Sequence, residues 1–527
     1  MKLFDGTAWL GRMPNTGLSL QNAGDLLRCM DELGIQRALV SHTLAWQHDS
    51  FFGNHELMVE ISNQRRLQPC WILNPALESF GGIGGLEVEL SNHNVRAVRI
   101  FPRDHVYSSS GWMIGDLFSL LDRRKMVLFM DLDQVFLQVG MYDYDANGLD
   151  AVERLCYNYP NLSLVLTRLG YRAYHIMSAL LLKFPNLYLD LSYFATHQGV
   201  EDVTRRHGAN RIIFATSQPF TDPGGALARL QFAGITEVEK ECIADTNLEE
   251  LLARAGNSPL GEHQAISAKL NFPQAKIIDA HCHLGPYFKF AIPQNDADGM
   301  VAAMDAAGVA IACISSHLSI SGDWQRGNVL TREAVQKWPQ RFVGCVVVSP
   351  NEPGLIRSEL DHYLNDCDFR SIKIVPDTHV YSVTGPGYEP MWNYAAENNC
   401  LVLSHTFHGS VYDDPQLFGE IARRYPDLPI MIVHSGALTA AFDGAIRLAR
   451  EHANLYLDIS GSYITGAWIS KMVKEVGVNR IIYSSDIPFI DIRYTLGRVL
   501  YSGLSSDQQG AVLGTNIARL LSLKGGL

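Results

Sequence analysis

Short apolar runs rich in β-branched residues recur along the chain, and amphipathic segments separate them. Ala38–His42 (ALVSH) and Leu401–His405 (LVLSH) are such runs, while Asp443–Ala453 (DGAIRLAREHA) has the spacing of a helix with one apolar face. Apolar strands that alternate with helices are typical of a parallel sheet covered on both faces. A closed (β/α)8 barrel fits this pattern better than an open doubly wound sheet, because no glycine-rich phosphate loop follows the first strand.

The same series of segments occurs twice, in the same order. The pairs are LFDGTAWLG and IIDAHCHLG, VRAVRIFPRDHVYS and FRSIKIVPDTHVYS, YPNLSLVLTRLG and YPDLPIMIVHSG, NLYLDLS and NLYLDIS, and NRIIFATSQPF and NRIIYSSDIPF. Repetition of this kind indicates a tandem duplication. The sequence therefore predicts two tandem (β/α)8 barrels, in residues 1–253 and 276–527, joined by a polar, irregular linker in residues 254–275.

Composition narrows the class of protein. The chain has 527 residues, enough for two barrels of about 250 residues each. Its formal net charge of -12 argues against nucleic acid as a partner. It has no apolar stretch long enough for a transmembrane helix and no signal-like start, and its nine cysteines are scattered. We therefore expect a cytoplasmic protein with a small-molecule substrate.

Candidate chemistry lies at the ends of strands in the second half, where barrel enzymes place their catalytic groups. His281 and His283 are two residues apart, so both side chains can face the barrel mouth. His405, His434 and Asp486 each end a further predicted strand. Imidazole nitrogens and a carboxylate oxygen that converge suit Zn²⁺, and Mn²⁺ is the alternative ion.

The first half provides an internal comparison. The positions that match the five candidate residues hold Thr7, Trp9, Met130, Arg168 and Ser217. None of these side chains can replace an imidazole or a carboxylate as a ligand. The first barrel is therefore predicted to be a degenerate copy without the metal site.

Four further residues are predicted to contact the substrate. His317 follows strand two of the second half, and Lys373 lies near the end of strand four. Arg326 lies in the loop after strand two, and His408 lies three residues beyond His405. A carboxylated Lys373 could bridge two metal ions, but Arg99 replaces it in the first half. We therefore favour a salt-bridging cation and a single metal ion.

The second half resembles the amidohydrolase-related family, in the branch that includes aminocarboxymuconate semialdehyde decarboxylase. The motifs DAHCHLG, SIKIVPDTHVYS, LVLSHT, IMIVHSG, IIYSSDIPF and LGTNIARLL carry the resemblance over residues 276–524. It implies a mononuclear metal-dependent barrel in which His281, His283, His405 and Asp486 bind the ion and His434 is catalytic. The fused first barrel departs from the family. We expect it to take the place of the second subunit of a homodimer, as an intramolecular pseudo-dimer, with further homo-oligomers left open.

Three functions are compatible with this pattern. The first is hydrolysis of a C–O or C–N bond in a small polar metabolite, with His434 and Asp486 moving protons around a metal-activated water. The second is non-oxidative decarboxylation of a small aromatic or enoic acid at the same metal site. The third is a non-catalytic metal-containing binding protein, which we rank last because structural zinc sites are usually rich in cysteine.

Overall fold

The computed structural model describes residues 1–12, 20–131, 146–255, 276–287, 292–365, 367 and 369–522. The chain divides into two compact units, one made mainly of residues 1–270 and one mainly of residues 271–527. Residues 256–275 of the predicted linker lie outside the described residues. The limits 1–253 and 276–527 remain predictions.

Each unit contains eight parallel strands in sequential order, which confirms the predicted pair of (β/α)8 barrels. The strands of the first unit are β1 Phe4–Leu10, β2 Arg37–His42, β3 Leu67–Leu73, β4 Ala97–Ile100, β5 Val127–Asp131, β6 Ser163–Thr167, β7 Leu187–Asp190 and β8 Ile212–Ile213. Those of the second are β9 Ile277–Leu284, β10 Val309–Ser316, β11 Phe342–Val347, β12 Phe369–Ile374, β13 Leu401–His405, β14 Ile430–Val433, β15 Leu455–Asp458 and β16 Ile481–Ile482.

Helices follow the strands in both units. Those of the first unit are α1 Ala23–Leu33, α2 Thr43–Gln47, α3 Ser50–Ile61, α4 Gly82–Asn92, α5 Gly111–Arg123, α6 Ala146–Asn158, α7 Tyr174–Lys183, α8 Gly199–His207, α9 Pro223–Gln231, α10 Glu237–Glu241 and α11 Asn247–Arg254. Those of the second are α12 Ala297–Ala306, α13 His317–Ser321, α14 Trp324–Lys337, α15 Pro353–Asn365, α16 Pro376–His379, α17 Glu389–Asn398, α18 Phe418–Arg424, α19 Thr439–Glu451, α20 Gly466–Val476, α21 Ile492–Leu500, α22 Ser506–Gly510 and α23 Asn516–Leu520.

Local chemistry sets where these elements begin and end. The Asn22 side chain accepts a hydrogen bond from the backbone of Asp25 and caps α1, and Asp296 caps α12 in the same way. Both helices are followed by a glycine with a φ of 68°, Gly34 and Gly308, at the turn into the next strand. This left-handed conformation is the one that glycine adopts without steric cost.

Backbone hydrogen bonds close each barrel. In the first unit, Gly6 N donates to Phe214 O (2.9 Å), which joins β1 to the segment after β8. In the second unit, Ala280 N donates to Tyr483 O (3.2 Å) and Asp486 N donates to His281 O (3.0 Å). The closed sheet of the second unit encloses a core of inward-facing apolar residues, among them Ile278, Ala280, Cys313, Val343, Leu403 and Met431.

Among the described residues, no helix is long and apolar enough to cross a membrane. All nine cysteines are free thiols.

Candidate metal centre

A β-bulge in β9 aims the two histidines of the HCH motif. Asp279 pairs with Ala312, whereas Cys282 pairs with Ile314, so β9 has one residue more than β10 over this stretch. Bulges next to functional sites commonly redirect side chains. Here both His281 and His283 are buried, and their Nε2 atoms lie 3.0 Å apart.

Asp486 lies beside the two histidines, in the loop that follows β16 and contacts β9. Its Oδ1 atom lies 3.4 Å from His283 Nε2 and 3.9 Å from His281 Nε2. The residue follows β16 by four positions and has a φ of 63°, a conformation that is rare outside glycine. The hydrogen bond from its backbone N–H to His281 O holds the loop in this strained form.

His434 approaches directly from the end of β14. Its Nε2 atom lies 4.0 Å from Asp486 Oδ2, and its ring centroid lies 5.3 Å from that of His281. Its Nδ1 atom lies 2.8 Å from Ser460 Oγ, and the Ser460 hydroxyl donates to the Asp458 carboxylate. Ser460 Oγ is therefore the acceptor of the His434 Nδ1–H, which leaves the lone pair of Nε2 facing the centre.

His405 lies at the rim of this group. Its ring centroid is 5.3 Å from that of His434, and Asp413 Oδ2 accepts from its Nδ1 at 2.8 Å. Among the described residues, two sets of three ligand atoms at this site lie mutually within 4.8 Å: His281, His283 and Asp486, and His281, His434 and Asp458. His405 belongs to neither set.

Lys373 is the cation of the cluster. It is 2% exposed, and its Nζ atom lies 2.8 Å from His281 Nε2. Burial lowers the pKa of Lys373 to about 8, although the carboxylate of Asp486 opposes this shift. Burial, and next the charge of Lys373, lowers the pKa of His281 well below its usual value, so this imidazole is neutral and able to act as a ligand.

The other predicted substrate contacts differ in their surroundings. The His317 ring stacks on Phe489 with centroids 4.2 Å apart and lies 5.2 Å from the ring of His283. His408 is exposed, with Nδ1 3.6 Å from Asp414 Oδ2. Arg326 is an exposed residue of the first turn of α14, and among the described residues no contact joins its side chain to the cluster. All three roles stay predictions.

The structure adds partner residues that the sequence did not reveal. Asp458 is fully buried and accepts from the backbone of His434 and from the hydroxyls of Ser460 and Ser484. Burial raises the pKa of Asp458, while these hydrogen bonds oppose the shift. The sequence marks Asp458 only as part of the NLYLDIS segment. Because the first half has Asp190 at the same position, the repeat indicates a structural role shared by both halves. Asp413 is in an irregular loop and has no such signal.

The matching end of the first barrel is filled differently. Thr7 Oγ1 lies 3.1 Å from Ser217 Oγ, where the second half has His281 and Asp486. Trp9 packs against Trp46 and Phe220, with centroids 5.5 and 5.4 Å apart. The predicted match of Met130 to His405 is wrong, because the strand register places Asp131 at that position. The Asp131 carboxylate is paired with Arg99 at 2.7 Å, and it belongs to no set of three His or carboxylate ligand atoms among the described residues.

This fold and this cluster of histidines and carboxylates near strand ends are typical of metal-dependent (β/α)8 enzymes. The profile of the amidohydrolase family matches residues 83–254 and 278–523, well over half of the chain and part of each barrel. The chain belongs to the amidohydrolase family. Membership of this enzyme family favours catalysis over a non-catalytic metal-binding protein.

Several solved structures resemble the chain, each over about half its length. The 5-carboxyvanillate decarboxylase of Sphingomonas paucimobilis is 14% identical, with 48% of this chain and 100% of that chain covered and a TM-score of 0.39. The 2,6-dihydroxybenzoate decarboxylase of Rhizobium is 17% identical, with 48% and 100% covered and a TM-score of 0.39. A dihydroxybenzoic acid decarboxylase of Polaromonas sp. JS666, solved with bound manganese and 2-nitroresorcinol, is 18% identical, with 48% and 98% covered and a TM-score of 0.39.

Proposed function

We propose that the second barrel is a metal-dependent hydrolase that cleaves a C–O or C–N bond in a small polar metabolite. One divalent ion, Zn²⁺ in preference to Mn²⁺, would be held by His281, His283, His405 and Asp486. The observation that carries the proposal is the convergence of His281 Nε2, His283 Nε2 and Asp486 Oδ1, separated by 3.0, 3.4 and 3.9 Å.

The donor atoms fit such an ion. Bond lengths of 2.0–2.1 Å in a tetrahedral zinc site separate the ligand atoms by about 3.3 Å. The observed separations of His281, His283 and Asp486 bracket this value. With His405 as a fourth ligand, water or substrate would enter as a fifth, an expansion that catalytic zinc sites allow. A divalent ion held there supplies an activated water and a Lewis acid for the substrate carbonyl.

Asp486 has the geometry of a ligand that also acts as a base. Its two carboxylate oxygens face different neighbours, since Oδ1 points at His283 and Oδ2 at His434. One oxygen can therefore bind the ion while the other accepts a proton from the attacking water. The strained backbone fixes this orientation before substrate binds.

His434 then carries the proton onward. With Nδ1–H donated to Ser460, Nε2 offers a lone pair and cannot polarise a carbonyl as a donor. It can accept a proton from Asp486 and deliver it to the leaving group. This tautomer favours proton transfer by His434 over polarisation of the substrate carbonyl.

Elemental analysis with activity assays tests the proposal. We expect His281→Ala and Asp486→Asn to lose the ion bound at this centre and the hydrolysis of lactone or amide substrates. Hydrolysis in ¹⁸O-labelled water should place one labelled oxygen in the product. The controls are Thr7→Ala and Ser217→Ala, the matching positions of the first half, which should keep the ion and the activity. Retention of full metal content and activity in both His281→Ala and Asp486→Asn would refute the assignment.

Decarboxylation of an aromatic or enoic acid is the second candidate, because a planar aromatic surface lies beside the cluster. Phe489 stacks on His317 and meets Tyr287 with centroids 4.8 Å apart, and its ring is 5.5 Å from that of His283. Lys373 supplies a cation for a substrate carboxylate. Release of CO₂ from aromatic or enoic acids, with no labelled oxygen in the product, would favour this reaction over hydrolysis.

A further inference from the structure

A second group of ligand-type side chains lies in the first unit, on helices outside its sheet. We call His55, Glu89 and His93 the outer cluster. His55 belongs to α3, Glu89 to the last turn of α4, and His93 is the residue that follows α4. The Nε2 atoms of His55 and His93 lie 3.3 and 3.5 Å from the same atom, Glu89 Oε2. Their ligand atoms all lie within 4.8 Å of one another.

The surroundings of the outer cluster fix the tautomer of one imidazole. His55 Nδ1 lies 2.8 Å from the Phe51 carbonyl oxygen, which can only accept, so Nδ1 carries the proton. In the neutral imidazole the lone pair of His55 is then on Nε2, directed toward Glu89. Histidines that bind metals commonly donate their other N–H to a backbone carbonyl in this way.

A buried indole supports both rings from behind. Trp71 is fully buried in β3, and its ring centroid is 5.9 Å from that of His55 and 5.5 Å from that of His93. The side chains of His55, Glu89 and His93 are 35%, 29% and 32% exposed. The outer cluster is thus backed by protein on one side and open to water on the other.

We propose that the outer cluster is a second metal site, which binds one Zn²⁺, Ni²⁺ or Cu²⁺ ion through His55, Glu89 and His93. Ligand atoms of a tetrahedral zinc site are separated by about 3.3 Å, close to both observed distances. Imidazole and carboxylate are the donors these ions accept, and water fills the remaining positions. The ion would connect α3 to α4 on the outside of the first barrel.

The second half of the chain lacks this site although it has the same scaffold. Asn54 of α3 and Asn328 of α14 form hydrogen bonds with equivalent strand residues, Ile72 and Val347. The two helices therefore match, and the residue at the position of His55 is Val329. The buried residues Leu86 and Leu90 of α4 match Ile356 and Leu360 of α15. The residues at the positions of Glu89 and His93 are therefore Glu359 and Tyr363. With one carboxylate and no imidazole, those positions cannot form the site.

Equilibrium Zn²⁺ binding to the full-length protein tests the proposal. After gel filtration, His55→Ala, His93→Ala and Glu89→Gln should each bind one Zn²⁺ fewer per chain than wild type at low micromolar Zn²⁺, or show half-saturation raised by about tenfold or more. Glu359→Gln and His362→Ala, from the matching helix of the second half, are the controls and should equal wild type.

A second measurement guards against variants that fold poorly. Added Zn²⁺ should raise the unfolding temperature of wild type and of the controls, and His93→Ala should lose the part of this rise that comes from the outer cluster. Wild-type stoichiometry and affinity in His93→Ala and Glu89→Gln, with an unchanged rise in unfolding temperature, would show that the three residues form ion pairs only and would overturn the proposal.

Discussion

Three imidazoles of the metal centre are bound to the scaffold through the same ring atom. His283, His405 and His434 each direct Nδ1 at a partner, which is Ser315, Asp413 and Ser460 respectively. A partner on Nδ1 orients the ring and leaves Nε2 for the ion or the substrate. The orientation of these imidazoles therefore depends on residues that contact neither the ion nor the substrate.

Ser460→Ala should reduce catalysis without removing the metal centre. The substitution breaks the link from His434 to Asp458, so the imidazole loses the acceptor that fixes its tautomer. We expect kcat to fall about 10–100-fold with KM little changed, the usual effect of losing such a partner. Steady-state kinetics and metal content check this. Ser192→Ala removes the matching hydroxyl, which bonds Asp190 in the first half, and should leave kcat unchanged. Equal kcat values for the two variants would contradict the role of Ser460.

The sequence predicted the candidate ligands but not their partners. The HCH motif and the positions of His405 and His434 after apolar runs are local patterns, which the hydrophobic periodicity of strands is enough to recognise. Ser315 lies 32 residues from His283, and Ser460 lies 26 residues from His434. Such pairs form only when strands that are distant in sequence meet, so no local pattern marks them.

At the scale of elements, the eighth strand is shorter than the pattern suggested. IIYSSD predicted a strand that ends at Asp486, but β16 covers only Ile481 and Ile482. The remaining residues form a loop pinned by Asp279, which accepts from the backbone and the hydroxyl of Ser485. Asp486 therefore reaches the centre through a tertiary contact with β9, which strand periodicity cannot show.

Helix α14 is attached to β11 by one side-chain amide. Asn328 Nδ2 donates to Val347 O at 2.8 Å, and Val347 N donates to Asn328 Oδ1 at 3.0 Å. Asn328→Leu keeps the volume but leaves two buried backbone groups unpaired, at about 1–3 kcal/mol each. We expect the free energy of unfolding to fall by about 2–6 kcal/mol in urea titrations. Asn54→Leu should behave alike, because Asn54 makes the same pair of bonds to Ile72. An unchanged unfolding midpoint would disprove this coupling.

At the scale of the whole molecule, the two halves keep their scaffold and differ in their chemistry. Asn247 and Asn516 both donate from Nδ2 to one carbonyl of the turn before the eighth strand and to the carbonyl of its first residue. Asp5 and Asp279 both accept from the backbone N–H of the third residue after that strand. Arg168 and Ser217 retain the positive φ of His434 and Asp486 although they cannot replace those side chains. The repeat could be predicted because core and turn patterns survive the loss of ligands.

The shared scaffold also buries carboxyl groups, and this makes stability depend on pH. Burial raises the pKa of Asp190 to about 7, with the Ser192 hydrogen bond and Arg99 opposing the shift. Because the folded pKa lies above the unfolded value near 3.8, the contribution of Asp190 to stability is greatest below pH 4 and is lost as pH rises to about 7.

Asp190→Asn removes this pH dependence of stability. Between pH 5 and pH 8, we expect the variant to gain of the order of 2 kcal/mol relative to wild type in urea unfolding. Asp116→Asn, at an exposed position of α5, should follow wild type at both pH values. If Asp190→Asn and wild type change in parallel between these pH values, then the Asp190 carboxyl ionises alike in the folded and unfolded chain, and burial does not control its charge.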